Sequence, residues 1–132
     1  MTQTPPAGDQ DAGQPLRVIL RMEIHPEMAA DFERVWLSVG ESIAREPANR
    51  GQTLVRSTDE EGVYYVLTDW AGERAFRDFE VSQRHTLHRQ RLKPYRRGGD
   101  MAVTEVVHRL EPASSELRRR DRQWGAEGPP FP

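Results

Sequence analysis

The string S-Q-R-H-T-L-H-R-Q-R-L-K-P-Y, Ser82 to Tyr95, brings together the side chains of this 132-residue chain best suited to acid–base work. On a helix, His85, His88, Leu92 and Tyr95 fall at i, i+3, i+7 and i+10 and share one stripe with an apolar character that points inward. An imidazole titrates near neutral pH, so either ring can serve as the base that takes a substrate proton. Each also has a structural use, as a satisfied histidine at an interface or surface. Arg89 follows His85 by four residues, and Arg91 lies off the stripe; both also suit a solvated helix face. The H-x-x-H spacing fits two metal ligands, but no third histidine or carboxylate shares the stripe, so no metal is expected.

The wall that would face this stripe is a strand. In V-Y-Y-V-L-T-D-W, alternation puts Tyr64, Val66, Thr68 and Trp70 on one face and Val63, Tyr65, Leu67 and Asp69 on the other. Trp70 offers a flat wall for an aromatic ring, or else a core anchor for the strand-to-helix turn. Trp36 and Phe79, on the apolar faces of the two predicted helices, complete the candidate substrate-binding set of Trp70, Tyr64, Val66, Leu92, Tyr95, Trp36 and Phe79. Both faces of the strand are largely apolar and need cover, helices on one side and a second copy of the chain on the other.

The remaining elements follow from pattern. Leu16 to Ile24 alternates as a first strand, and His25-Pro26 breaks it. Phe32, Val35, Trp36, Val39 and Ile43 recur at helical spacing, in a helix that should end near Glu46, before Pro47. Gln52 to Ser57 is predicted as a second strand, returning through T-D-E-E-G to the strand at Val63. A long helix follows the A-G break, with a kink near Glu80 to Ser82 and its end at Pro94. R-R-G-G-D is expected to be a loop, and Met101 to Leu110 the fourth strand. The order β-α-β-β-α-β predicts a ferredoxin-like α+β fold, an antiparallel four-stranded sheet with both helices on one face. Residues 1–15 and 111–132 are polar and are expected as tails around one domain, 16–110.

Composition narrows the function. A net charge of -2 argues against nucleic acid or anionic membrane as partner. With no cysteine there is no thiolate nucleophile, disulfide or thiolate metal site. No basic, apolar leader opens the chain and no apolar run approaches membrane length, so a soluble, cytoplasmic protein is expected. No G-x-G-x-x-G or P-loop occurs.

The strings L-R-V-I-L-R-M-E-I-H-P-E-M, D-F-E-R-V-W, G-Q-T-L-V-R-S and, above all, Y-V-L-T-D-W-A-G-E-R-A-F-R-D-F resemble the antibiotic biosynthesis monooxygenase family of dimeric α+β barrels, from about Leu16 to Leu110. The resemblance implies a homodimer closed face to face into a barrel. It also implies oxygenation without flavin, haem or metal: an anthrone- or phenol-type polycyclic aromatic polyketide is deprotonated, and its carbanion reduces O2 directly. Trp70 matches the tryptophan of the family oxygenases. Arg89 and Arg91 lie near the helix arginine that steadies developing negative charge in them. In oxygenases of the actinorhodin type an asparagine stands four residues before the tryptophan; here Val66 takes that place, and His85 or His88 is a candidate substitute.

The resemblance admits three functions: a cofactor-independent monooxygenase of antibiotic or secondary-metabolite biosynthesis, a cofactor-free polyketide cyclase or isomerase using the same pocket, or a non-catalytic dimeric small-molecule-binding protein. His25 is expected to be structural, and His108, on the predicted last strand, to face the dimer. Arg118, Arg119, Arg120 and Arg122, interrupted by Asp121, read as a solvated run, with Trp124 and Phe131 as anchors should the tail cross a partner.

Overall fold

The computed structural model describes residues 14–116 and Arg119. The elements follow in the order β1 (Leu16–Ile24), α1 (Ala29–Ile43, entered through a 3-10 turn at Pro26–Met28), β2 (Asn49–Arg56), β3 (Val63–Trp70), α2 (Glu73–Glu80), α3 (Gln83–Leu92, closed by a 3-10 turn at Lys93–Tyr95) and β4 (Arg96–Glu105). The strands form one sheet in the order β2-β3-β1-β4, with every neighbouring pair antiparallel. This is the ferredoxin-like α+β topology expected from the sequence.

Alternation on the two central strands sets the layers. Leu16, Val18, Met22 and Ile24 of β1 and Tyr64, Val66 and Trp70 of β3 are buried beneath the helices. They pack in two clusters: Val39, Ile43, Phe76 and Phe79 cover the Leu16, Val18 and Trp70 end, while Phe32 covers the Met22, Ile24, Tyr64 and Val66 end. On the opposite face, registered cross-strand pairs set Ile19 beside Leu67 and Ala102, Leu67 beside Thr53, and Tyr65 beside Val55. Ion pairs flank this strip. Arg17 grips Asp69 with two hydrogen bonds, 2.7 and 3.0 Å, and Arg21 reaches Glu23 at 2.6 Å and Glu60 at 3.1 Å.

Several boundaries depart from expectation. R-R-G-G-D is not a loop: it opens β4, which runs over Arg96–Glu105 instead of Met101 to Leu110. A bulge lies between Arg96 and Gly98, opposite Ile24 and Glu23, and beside it Gly99, paired with Met22, has φ +146° and lies so close to the Arg21 carbonyl that a Cβ there would clash with it. The strand stops at Glu105, which pairs with Leu16, the first residue of its partner β1, so His108 lies beyond the last strand. Strand β2 starts earlier than expected, at Asn49, and ends at Arg56. The 15-residue helix α1 ends at Ile43, with turns continuing to Glu46. The predicted long helix is two, broken at Val81 and Ser82, and its end at Leu92 gives way to a tighter turn because Pro94 has no N–H to donate. Residues 1–13 and Arg118, Arg120, Arg122, Trp124 and Phe131 lie outside the described residues; Arg119 is exposed.

Candidate active site

Between the sheet and the helices at the Trp70 end lies a cavity of about 280 Å³. Its floor is Val18, Leu20 and Met22 of β1 with Val66, Thr68 and Trp70 of β3; α1 contributes Trp36, Val39 and Ile43. Phe76, Phe79 and Glu80 come from α2, His85, His88, Arg89 and Leu92 from α3, and Arg96, Asp100 and Met101 from β4. The floor is apolar because alternate residues of two central strands face it; the ionisable groups arrive from α2, α3 and the edge strand.

The break between the helices sets where the imidazoles stand. Ser82 has extended backbone and caps α3, its Oγ accepting from the His85 N–H at 3.2 Å while donating to the Phe79 carbonyl at 2.6 Å. A bidentate ion pair, Arg84 to Glu46 at 2.9 and 3.0 Å, and a hydrogen bond from Arg91 to Ser38 Oγ at 3.0 Å tie α3 to α1 and the turn after it. The result is a contiguous run of rings. Trp70 lies 4.8 Å from Phe79, Phe79 lies 4.6 Å from His85, and His85 lies 6.0 Å from His88.

Electrostatics follow from burial. Desolvation pushes the His85 imidazole down from its usual 6.5 to about 4, reinforced by the Arg89 and His88 charges and opposed by Glu80. Burial likewise lowers His88, with Arg91 and Arg84 acting in the same sense and Glu46 against them. Both rings are therefore neutral at neutral pH. The Nδ1 atoms of both are shut off from solvent without a hydrogen-bond partner. Trp70 is buried, and its indole N–H is committed to Thr68 Oγ1 at 2.9 Å, so it presents ring surface and not a free donor. No three of the described histidine, aspartate and glutamate side chains come together as a metal cage requires.

Of the residues singled out from sequence, His85, His88, Arg89, Trp70, Val66, Leu92, Trp36 and Phe79 meet at this cavity. Arg91, Tyr64 and Tyr95 do not line it. Arg91 is exposed and turned toward Ser38. Tyr64 shares the face of Trp70 but stands at the other end of β3, about 20 Å along an extended strand; its ring packs 4.8 Å from Phe32 and its hydroxyl donates to Glu33 at 2.5 Å. Tyr95 follows the end of α3, so the helical stripe does not carry through to it, and it packs with Phe32 at 6.4 Å. Sequence reasoning did not assign Thr68, Glu80, Arg96, Asp100 or Met101 to the site. Thr68 was legible, lying between Val66 and Trp70 on one strand face; the β4 residues depended on a strand misplaced by several positions.

The sequence profile of antibiotic biosynthesis monooxygenases matches residues 15–91, more than half of the chain. The chain belongs to the antibiotic biosynthesis monooxygenase family. Its fold is similar to that of a Caulobacter crescentus protein assigned to antibiotic biosynthesis monooxygenases, with a TM-score of 0.67 and 25% identity over 76% of this chain and 96% of that one. It is also similar to SnoaB, a cofactor-independent oxygenase from Streptomyces nogalater, with a TM-score of 0.66 and 22% identity over 76% of this chain and all of that one. A Bordetella bronchiseptica protein assigned to the same family shares the fold at a TM-score of 0.66 and 20% identity, over 72% of this chain and 99% of that one. No curated protein sequence matches. No described helix is long and apolar enough to cross a membrane.

Proposed function

We propose that this antibiotic biosynthesis monooxygenase family member is a cofactor-independent oxygenase acting on a polycyclic aromatic polyketide of anthrone or phenol type. The observation that carries this reading is the cavity: an apolar floor and aromatic side walls, with polar groups arriving along one edge from α2, α3 and β4. A flat, electron-rich ring would lie against Trp36 and the face of the touching Trp70–Phe79 pair, with its oxygens toward His85, His88 and Arg89. Such a substrate, once deprotonated, carries the reducing electrons itself, so the protein supplies shape, exclusion of water and stabilisation of negative charge. The balance is simple: an anthrone CH2 and O2 give the quinone C=O and water. Arg89, an exposed cation at the cavity edge, would supply positive charge to the enolate and the oxygen-derived anion that follows it. The apolar strip of Ile19, Leu67, Tyr65 and Val55 on the opposite sheet face supports a homodimer, since it would otherwise meet water.

Oxygen uptake tests the proposal. Purified protein given 9-anthrone, with a metal chelator and no flavin, should consume one O2 per anthraquinone formed, above the rate of spontaneous oxidation. Conversion at an undiminished rate without oxygen, or no acceleration with any anthrone or polycyclic phenol, would overturn the oxygenase reading.

A further inference from the structure

The two imidazoles at the cavity each keep one nitrogen out of reach. Nδ1 of His85 and Nδ1 of His88 are inaccessible and unpartnered, while both rings line the cavity. Each ring therefore addresses a ligand through its Cε1–Nε2–Cδ2 edge. A neutral imidazole has one proton, and the two places for it are not equal here. On Nδ1 it would be a buried N–H without an acceptor, the orphan that folded proteins tolerate least; a bare lone pair is tolerated more often. On Nε2 the proton meets the cavity, where a ligand or solvent can accept it.

We infer that His85 and His88 are Nε2–H tautomers that donate hydrogen bonds to an acceptor oxygen of the ligand, a carbonyl or phenolate, instead of taking its proton. This rests on the cavity being the ligand site proposed above. The surroundings agree. His85 faces Arg89 and His88 on its own helix and Glu80 on α2; His88 faces Arg91 and Arg84 on α3 and Glu46 beyond α1. Burial outweighs the two carboxylates and keeps both rings uncharged at neutral pH. Two neutral donors beside the Arg89 cation form an electron-poor edge opposite an apolar floor, which favours ligands with oxygens gathered on one side. Protonation leaves Nε2–H in place, so such a donor survives acidification, whereas a base is lost as pH falls through its pKa.

The tautomers are read directly from two-bond 1H–15N correlation spectra of the uniformly labelled, ligand-free protein at pH 7.5. The Nε2–H pattern is expected at both rings, and an Nδ1–H pattern at either overturns the inference. The ligand role is tested with 9-fluorenone and fluorene, flat molecules of one shape that differ by the acceptor carbonyl. Fluorenone should bind about 3- to 10-fold tighter relative to fluorene in the parent than in His85→Phe and His88→Phe, the contribution of one neutral hydrogen bond. An unchanged ratio in both variants overturns the donor role. If neither molecule binds, the pocket reading of the preceding section fails and the ligand role fails with it, while the tautomer result, obtained without ligand, stands as a separate measurement.

Discussion

Acidification should destabilise this protein before its carboxylates titrate, with His85 as the largest contributor. In the unfolded chain the imidazole titrates near 6.5, and in the folded protein near 4. Above pH 6.5 both states hold the neutral ring, and the full stability is present. As pH falls below 6.5 the unfolded state takes up a proton that the native state refuses, and stability declines until the native ring also protonates near 4. At about 1.4 kcal/mol per pH unit, the loss between pH 7 and pH 5 is roughly 2 kcal/mol in the unscreened limit. The ring is only partly buried, so solvent screening reduces this to about 1 kcal/mol. With a urea slope of about 1–2 kcal/mol/M, that moves the unfolding midpoint by roughly 0.5–1 M. The assay is urea unfolding at pH 7 and pH 5, at fixed protein concentration, for the parent and His85→Leu, which keeps the packing on Phe79 without the titration. The parent should lose midpoint on acidification by that margin more than the variant; His88, lowered in the same sense, leaves the variant a smaller slope. Equal pH dependence in the two proteins, or a His85 pKa of 6.5 or above by NMR titration, would refute the claim that desolvation governs this ring.

Three further outcomes follow from particular contacts. Trp70→Ala removes a buried ring that packs on Phe76 and Phe79, and should cost about 3–5 kcal/mol in chemical denaturation while weakening binding of flat aromatic ligands; unchanged ligand affinity would make Trp70 a residue of the fold alone. Ser82→Ala removes the acceptor of the His85 N–H and should cost about 1 kcal/mol, while the His85 pKa rises toward 6.5 as the frayed helix end is solvated. Leu67→Asp places a charge in the apolar strip of the open sheet face and should convert a dimer into a monomer by sedimentation equilibrium; a parent already monomeric at micromolar concentration would remove the homodimer proposal.

What the sequence showed depended on how regular each segment is. The central strands carry strict alternation, and β1 and β3 fall where it put them, Leu16–Ile24 and Val63–Trp70. The edge strand carries no such pattern at its start: Arg96, Arg97 and Gly98 bulge against Glu23 and Ile24, and two adjacent glycines read as a loop when the pairing that needs them is not visible. Its far end misled in the opposite sense, since V-V-H-R-L looks strand-like but β1 begins at Leu16, and past Glu105 the pairing goes no further than the Val106 N–H on the Pro15 carbonyl. At the site, Trp70, Trp36 and Phe79 were legible as aromatic residues on buried faces. Tyr64 failed to join them because a shared face fixes direction and not position along the strand. Arg96, Asp100 and Met101 could not be assigned without β4 in register. Arg91 turned away because helical phase places it toward α1, where Ser38 accepts from it.

The cap at Ser82 also divides the cavity's walls by how firmly they are held. Helix α2 is anchored by Phe76 and Phe79, both buried, whereas α3 contributes no fully buried residue. Its attachments are the cap, the Arg84–Glu46 ion pair, the Arg91–Ser38 hydrogen bond, half-buried Leu92, and the partly buried His85 and His88 rings, 4.6 and 6.2 Å from Phe79. Contacts of this kind contribute about 0.2–1 kcal/mol for an exposed ion pair and about 1 kcal/mol for a cap, far less than the core beneath the sheet. Local opening of α3 is therefore expected to cost less than opening β1, β3 or α2, which carry buried residues. The helix that carries both imidazoles is thus the least firmly held wall of a cavity that opens to solvent beside Arg89, Asp100 and Met101, so the polar groups a rigid polycyclic molecule would meet there sit on the segment best able to adjust to it.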